Sequence, residues 1–219
     1  MNKQNKAGVF TIVVLSVSIS VAKTVKPTLG FYISRVLTPS FIVRTNLAFG
    51  TLRGNESLYK TPAYRQQRNL SFSSPVTEIS ELLVWNMFGN NGNEIGKRFS
   101  PYLFGGAGVS FLNVSRSSSL NKAFFVNDPQ VEIGLNQDLN RTPPRAILAL
   151  PVGIGLEYYL TPKIALTAET NFRYTFTDYL DGFSRVANPA KNDFYQSHTI
   201  GLVFKFGKKN QLDCPVIMQ

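Results

Sequence analysis

Large apolar side chains occupy every second position in two long segments of the C-terminal half. In residues 147–160 the even positions are large and apolar, while the odd ones are mostly small or charged. Thr161, Pro162 and Lys163 interrupt this pattern, which resumes over residues 164–177. A period of two is that of a β-strand, so the pattern predicts a long hairpin with one apolar and one polar face.

The length of these segments indicates the solvent around them. Strands of soluble proteins average about 5–6 residues. Strands of about 9–11 residues with aromatic side chains near their ends are typical of outer-membrane barrels. In such barrels the apolar face meets lipid and the polar face lines the interior.

The same alternation predicts six further strands. They cover residues 8–21, 28–37, 41–52, 76–88, 100–112 and 193–207. The first is ambiguous, because Lys3, Lys6 and the following apolar run to Ala22 also fit a cleavable secretion signal over residues 1–22. Its β-branched residues alternating with serine favour a strand. Residues 23–207 are then the barrel, and residues 208–219 are a tail without periodicity.

The connections alternate in length. Those at 38–40 and 161–163 are short and the one at 89–99 is intermediate, whereas residues 53–75, 113–145 and 178–192 are predicted to form long loops. Outer-membrane barrels have short periplasmic turns, longer external loops and an even number of strands. The chain is therefore predicted to be all-β, an eight-stranded antiparallel transmembrane β-barrel in the bacterial outer membrane.

Composition supports a chain that shields much of its surface from water. Charged residues are 16% of the chain, against about 25% in average soluble proteins. The net charge of +10 comes from scattered Lys and Arg without a nucleic-acid-binding motif, so it favours anionic lipopolysaccharide head groups over nucleic acid. The single cysteine, Cys214, excludes an intrachain disulfide.

The alternation assigns side chains to the two faces. Six charged residues point inward, where an eight-stranded barrel has room only for paired charges. These are Arg44, Glu78, Glu157, Glu169, Arg173 and Lys205. They form either a plug that holds the barrel rigid, which we favour, or a narrow conduction path. The predicted lipid-facing aromatics are Phe41, Phe49, Trp85, Phe111, Tyr158, Phe172, Tyr174, Phe204 and Phe206. Glu81 also falls on the lipid side of this register, which costs free energy unless the strand is bulged or Glu81 lies near the head groups.

Several segments resemble a Bacteroidetes family of small outer-membrane barrels. They are residues 78–80, 98–106, 153–155 and 204–207, the Lys26-Pro27 pair with the strand after it and, most specifically, the run that begins at Arg173. That run contains Arg173, Tyr174, Thr175, Phe176, Thr177 and Asp178. The resemblance implies eight strands and an outer-membrane location. One member of this family is the barrel of the type IX secretion apparatus, which associates with a periplasmic ring of lipoprotein and partner subunits.

The expected function is structural: a membrane anchor whose turns or loops dock partner subunits. The alternatives are an adhesin-like or small-solute barrel, and an interfacial lipid-modifying enzyme. His198, the single histidine, faces outward near the external end of the last strand, and the enzyme hypothesis requires a lipid A change that His198→Ala abolishes. No nucleotide-binding or metal-ligand motif occurs, so we expect no catalytic residue, cofactor or metal.

Overall fold

A computed structural model describes residues 10–20, 27–89, 98–177, 179–180, 182–186 and 194–206. These residues form nine β-strands, two α-helices and one turn of 3-10 helix. The strands are β1 Phe10–Ser20, β2 Pro27–Val36, β3 Phe41–Asn55, β4 Leu70–Asn86, β5 Phe99–Leu112, β6 Ser115–Ser118, β7 Ala146–Tyr159, β8 Ile164–Thr175 and β9 Phe194–Phe206. The helices are α1 Tyr64–Arg68 and α2 Pro129–Asn140, and the 3-10 turn is Glu56–Leu58.

Eight of the strands close into a ring. Each pairs antiparallel with both neighbours in the order β3, β2, β1, β9, β8, β7, β5, β4, and β4 returns to β3. The short β6 adds only to the outer end of β4. Closure leaves no bare sheet edge among these eight strands in the membrane, where unpaired backbone groups are costly. The eight-stranded antiparallel barrel predicted from the alternation is confirmed.

The N-terminal segment contributes one of the eight strands. β1 pairs with β2 on one side and with β9 on the other, and its register shifts between Val13 and Ser16. Such a shift is a β-bulge, which locally increases the twist of a strand. Residues 1–9 and the tail at 208–219 lie outside the described residues.

The loop predicted at residues 53–75 is strand at both of its ends, at 53–55 and 70–75. β3 continues to Asn55 and β4 begins at Leu70, with Arg53 paired to Ser73. This part of the hairpin rises beyond the membrane, so neither of its faces meets lipid. The apolar alternation that marks a membrane strand is therefore absent. The prediction consequently placed the end of β3 too early and the start of β4 too late.

The loop predicted at residues 113–145 is also partly wrong. It contains β6 and the 12-residue helix α2, which starts with Pro129 at its first turn. Proline is well tolerated at that position. Only Gly134, Leu135 and Asp138 of α2 are buried, so its apolar stripe is too narrow to stand out as a helical period in the sequence.

The two ends of the barrel differ. The β2–β3 and β7–β8 turns are short and lie at one end together with the start of β1 and the end of β9. We assign this end to the periplasm, because outer-membrane barrels place short turns there. The opposite, extracellular end carries the long connections. None of the helices in the described part of the chain is long and apolar enough to span a bilayer.

An apolar belt covers the outer wall between the two ends. Its exposed members share outward positions on the strands, and they include Leu29, Phe31, Ile33, Leu47, Ile79, Leu83, Leu148, Val152, Ile154, Leu166 and Ile200. Exposed apolar surface on this scale is unfavourable in water and favourable in hydrocarbon. The belt therefore marks the part of the wall that lipid covers.

Candidate functional site

The six inward charges predicted from the sequence form three ion pairs inside the barrel. Arg44 lies 2.6 Å from Glu169, Arg173 lies 2.9 Å from Glu78, and Lys205 lies 3.0 Å from Glu157. None of these side chains is more than 12% exposed. Each pair joins strands that are not neighbours in the ring. The long side chains reach across the lumen because the interior of an eight-stranded barrel is narrow enough for them to span.

The Arg44–Glu169 pair occupies the centre of the lumen. The Arg44 guanidinium lies 4.2 Å from the centre of the Tyr32 ring, and the Tyr102 hydroxyl donates to Glu169 at 2.6 Å. Tyr102 is opposite Gly155, where an added Cβ would lie 2.3 Å from the tyrosine ring. Glycine at 155 therefore makes the space that Tyr102 fills.

A second cluster lies closer to the extracellular end. Glu78 accepts hydrogen bonds from Arg173, from the Ser110 hydroxyl at 3.0 Å and from the Tyr195 hydroxyl at 2.9 Å. Arg173 also donates to the Ser197 hydroxyl at 2.7 Å. The Glu78 carboxylate thus exchanges its hydration for three protein donors, which is the condition for burying a charge.

The third cluster lies near the periplasmic mouth. Lys205 pairs with Glu157 and also donates to the Tyr159 hydroxyl at 2.8 Å. Tyr159 in turn donates to Glu157 at 3.1 Å. Each of the three layers therefore combines one carboxylate, one cation and at least one tyrosine, and the three positive charges balance the three negative ones.

Little open space remains between these layers. One cavity of about 30 Å³ lies towards the periplasm beside Arg44 and Lys205, and one of about 50 Å³ lies beside Glu78 and Arg173. A water molecule needs about 10–15 Å³ measured in this way, so each cavity holds a few waters at most. These cavities are too small for a nutrient-sized solute.

An apolar lid closes the extracellular end of the lumen. Leu180 is buried against Leu112 and Ile147, and partly buried side chains surround it. Those side chains are Leu52, Val76, Val114 and Tyr195. Because Leu180 belongs to the connection between β8 and β9, the chain itself folds back over the barrel mouth.

Above the lid, the external segments fold into an extracellular cap, which we define as the 3-10 turn, α1, β6, α2 and the described residues of 179–186. Asp138 on α2 is fully buried, and it accepts hydrogen bonds from the Tyr179 hydroxyl and from three backbone N–H groups. The N–H donors are those of Ser184, Arg185 and Val186, at 2.9–3.1 Å. One carboxylate thus holds the β8–β9 connection against α2.

Two arginines add further contacts between the segments of the cap. Arg116 on β6 donates to the backbone carbonyls of Asp138 and Gly182, at 2.6 and 2.7 Å. Arg68 at the end of α1 pairs with Glu56 and donates to the carbonyl of Val186. A small apolar core of Leu70, Leu135, Phe183 and Val186 lies between them. The cap is therefore a packed unit and not a set of independent loops.

The predicted lipid-facing aromatics lie on the outer wall. Phe41, Phe49, Trp85, Phe111, Phe172, Tyr174 and Phe206 are exposed, whereas Tyr158 and Phe204 are half-buried. Tyr158 packs against the neighbouring Phe99 with 4.8 Å between the ring centres. Amphipathic and aromatic rings at the ends of membrane strands are typical anchors at the lipid head groups.

The segment carrying the family resemblance spans the wall and the lid. Arg173 points into the lumen, while Tyr174 and Phe176 stack edge to face on the outside, 5.4 Å apart. Thr175 is buried, and Thr177 accepts a hydrogen bond from the Tyr179 backbone at 3.1 Å. These residues end β8 and direct the chain towards the lid. Asp178 lies outside the described residues.

Two polar side chains interrupt the apolar belt. Glu81 is exposed on the outside of β4, and the paired register of β4 is continuous there, so no bulge accounts for it. His198 also faces outward, with its Nδ1 atom 3.0 Å from the Thr170 hydroxyl and its Nε2 atom 3.2 Å from the Gln196 amide. The sequence predicted both orientations but not these partners.

The contacts of Asp138 with the β8–β9 connection have no clear signal in the sequence. Asp138 lies on a helix that was predicted as loop, and its donors are backbone N–H groups some 46–48 residues further along the chain. The one available signal was the spacing of Val131, Leu135 and Asp138 on one side of α2. Within the described residues no group of His, Cys, Asp or Glu side chains could hold a metal ion.

Comparison with known proteins agrees with the geometry. A family model described as a domain of unknown function, DUF6089, matches residues 18–215. The chain is similar to a major outer membrane protein from Thermus thermophilus, with a TM-score of 0.53 and 14% identity over 91% of this chain and 100% of the other. It is also similar to the outer membrane protein OprG from Pseudomonas aeruginosa, with a TM-score of 0.50 and 14% identity over 93% and 98% of the two chains. No curated protein matches it.

These likenesses show the fold, which is that of outer-membrane β-barrels. The closed ring and the apolar belt independently require hydrocarbon around the wall. The chain is therefore an integral outer-membrane barrel with a filled lumen and a folded extracellular cap.

Proposed function

We propose that this chain, which belongs to the DUF6089 family of domains of unknown function, is a non-conducting outer-membrane anchor that docks partner proteins. The expected partners are periplasmic subunits of a type IX protein secretion apparatus. The observation that carries the proposal is the filled lumen, with its three layers of charge and tyrosine under an apolar lid.

A barrel whose interior is filled exerts its function through its surfaces. Enzyme-like or channel-like sites need a cavity that admits a substrate, and the lumen cavities beside the ion pairs hold a few waters at most. The periplasmic rim, in contrast, presents exposed Leu37, Phe88 and Leu160 beside its turns. Apolar side chains at a polar rim are suited to contact another protein.

The secretion apparatus enters as the partner through the sequence resemblance. The run from Arg173 to Thr177 carries that resemblance, and it shapes the end of β8 and the lid. A relative that serves as the barrel of such an apparatus associates with periplasmic subunits. A docking role at the periplasmic rim is therefore the specific form of the proposal.

Amine crosslinking in intact cells tests the docking side. Lys163 lies in the periplasmic β7–β8 turn, so we expect a crosslinked product that joins Lys163 to a periplasmic subunit and is identified by mass spectrometry. Lys163→Arg keeps the charge but removes the reactive amine, and it should abolish that product. Crosslinks from Lys163 to no periplasmic protein would contradict the proposal.

An adhesin-like role is the second candidate, and one observation favours it. Phe124 and Val126, in the connection between β6 and α2, and Ile133 on α2 are exposed at the extracellular end, and Val126 is 73% exposed. Crosslinks from Lys122, which is beside this patch, to an extracellular protein would support this role. An interfacial lipid-modifying enzyme is less favoured, because His198 contacts Thr170 and Gln196 but no carboxylate among the described residues.

A further inference from the structure

Glu81 lies in the middle of the apolar belt. Along β4 the exposed Ile79 and Leu83 flank it, and across the pair to β5 it faces Ala107. The described residues supply one hydrogen-bond donor, the Thr45 hydroxyl at 2.7 Å, although a carboxylate can accept about four. An acidic side chain facing lipid destabilises a barrel and marks a functional site by default. A protein partner with a donor at this depth would relieve that cost.

His198 is a suitable donor on the same chain. In the neutral ring, a hydrogen bond from the Thr170 hydroxyl to Nδ1 leaves the proton on Nε2. The Gln196 amide nitrogen, itself a donor, lies 3.2 Å from Nε2, so Gln196 must turn its amide oxygen to that proton or move aside when a partner carboxylate accepts it. A protonated ring would donate as well and would add a charge opposite to that of Glu81. His198 also lies within the apolar belt, because Ile200, the next outward residue on β9, is 67% exposed.

The strand register places Glu81 and His198 at nearly the same depth. Residues that face one another on successive strands form a row around the barrel. The row that starts at Phe41 of β3 passes Trp85, Leu103, Ile154, Thr170, His198, Ile19 and Pro27 and, by the β2–β3 register, returns to β3 at Thr51. Because the strands are tilted, a row followed once around the barrel rises by 10 residues towards the extracellular side, from position 41 to position 51, and a row followed across four strands rises by about 5. The row from Glu81 reaches Phe194 on β9, and His198 lies four residues below Phe194. The depths differ by about one residue, or about 3 Å.

The two side chains also lie on opposite sides of the barrel. β4 and β9 are four strands apart in either direction around the ring of eight. A translated copy of the chain in the same membrane would therefore present His198 towards Glu81 without any change of tilt or depth. A two-fold dimer through the Glu81 face would instead bring the two acidic side chains together.

We propose that neighbouring copies of this chain associate side by side in the membrane, with Glu81 of one copy bonded to His198 of the next. Two parallel barrels meet with opposite strand order, so β5 of one lies against β8 of the other. This places the exposed Phe172 ring against the part of β5 where the outward residues, Gly105 and Ala107, are small. Large side chains against small ones allow the close approach that membrane interfaces use.

The contact is heterologous and leaves the opposite face of each barrel free for another copy. Such contacts produce open rows when the faces are diametrically opposed. The product is therefore a ladder of dimers, trimers and longer oligomers, and not a closed pair. This inference is independent of whether the partner in the periplasm is a secretion subunit.

Cysteine crosslinking in native outer membranes tests this contact. Leu83 lies two residues from Glu81 on β4, and Ile200 lies two residues from His198 on β9, each on the periplasmic side; both are exposed. In a Cys214→Ser background, chains with Leu83→Cys and chains with Ile200→Cys should crosslink to each other. A chain carrying both substitutions should give a ladder. Phe31→Cys on β2 and Val152→Cys on β7 are the matched control, because they lie in the same belt a quarter turn away, and they should give at least tenfold less product.

Glu81→Leu in the Leu83→Cys chain should lower the mixed product at least tenfold. Leucine suits a lipid-facing position, so this variant is expected to fold, and its heat-modifiable mobility on gels checks that it does. Monomers alone, products of Leu83→Cys with itself, equal yields from the control pair, or a yield unaffected by Glu81→Leu would each overturn the proposal.

Discussion

Replacing Glu169 by Gln is expected to lower the free energy of unfolding of the barrel by about 3–5 kcal/mol. The substitution keeps the volume but removes the partner of Arg44, whose guanidinium is buried among Tyr32, Tyr102 and Phe104. An unpaired charge at that depth is surrounded mainly by aromatic rings and keeps little of its hydration. Urea titration of the folded protein in lipid vesicles measures the effect.

Two variants make that result specific. Glu132→Gln breaks an ion pair with Lys122 on the exposed surface of the cap, so the loss there should stay below about 1 kcal/mol. The double variant Arg44→Met, Glu169→Leu removes both charges and should recover most of the stability, because a buried pair replaced by apolar groups is often neutral. A Glu169→Gln protein as stable as the parent would refute the ion-pair plug.

Replacing Asp138 by Ala is expected to open the extracellular cap while the barrel stays folded. The carboxylate accepts four hydrogen bonds, and three of their donors are backbone N–H groups that would be left without an acceptor. A hydrogen bond to a charged group contributes about 1.5–3 kcal/mol, so each amide at residues 184–186 that loses its own bond should exchange about 10- to 150-fold faster. Hydrogen exchange monitored by mass spectrometry measures this change.

The matched control for the cap lies at the start of the same helix. Asp128 precedes α2 without making a side-chain capping bond, so Asp128→Ala should leave exchange at residues 184–186 unchanged. Amides of the ring strands should stay protected in both variants. Loss of protection throughout the barrel in the Asp138 variant would mean that the cap and the barrel unfold as one unit.

The barrel could be predicted from the sequence because lipid imposes a strict two-residue period. Wherever one face meets hydrocarbon, as at Ile147 to Leu160, alternation specifies both the strand and the direction of each side chain. The inward orientation of Arg44 and Glu169 followed from the same rule. Which charges pair did not follow, because pairing depends on distances across the lumen that no local pattern encodes.

The cap could not be predicted for a related reason. Above the membrane, β3 and β4 no longer face lipid and lose their two-residue period, and Leu70 of β4 packs instead into the apolar core of the cap. Helix α2 buries only three of its residues. The cap is held by long-range contacts from Asp138, Arg116 and Arg68 to backbone atoms. A backbone acceptor or donor has no signature in the sequence, so these contacts emerge only from the folded chain.

The filled lumen also explains why the chain carries charge inside at all. Three balanced layers occupy the interior, and the apolar lid at Leu180 lies between the uppermost layer and the cap. The surfaces that remain for function are the periplasmic rim, the cap and the two polar interruptions of the belt at Glu81 and His198. Each is addressed by a separate crosslinking experiment.

Single-channel recording is the most direct test of the filled lumen. The full-length protein, refolded and inserted into planar bilayers, is expected to give no current steps above those of protein-free membranes, with a known porin as the positive control. Insertion is verified by protease protection of the same preparation in vesicles. Stable, reproducible open-channel steps from the parent protein would contradict the account.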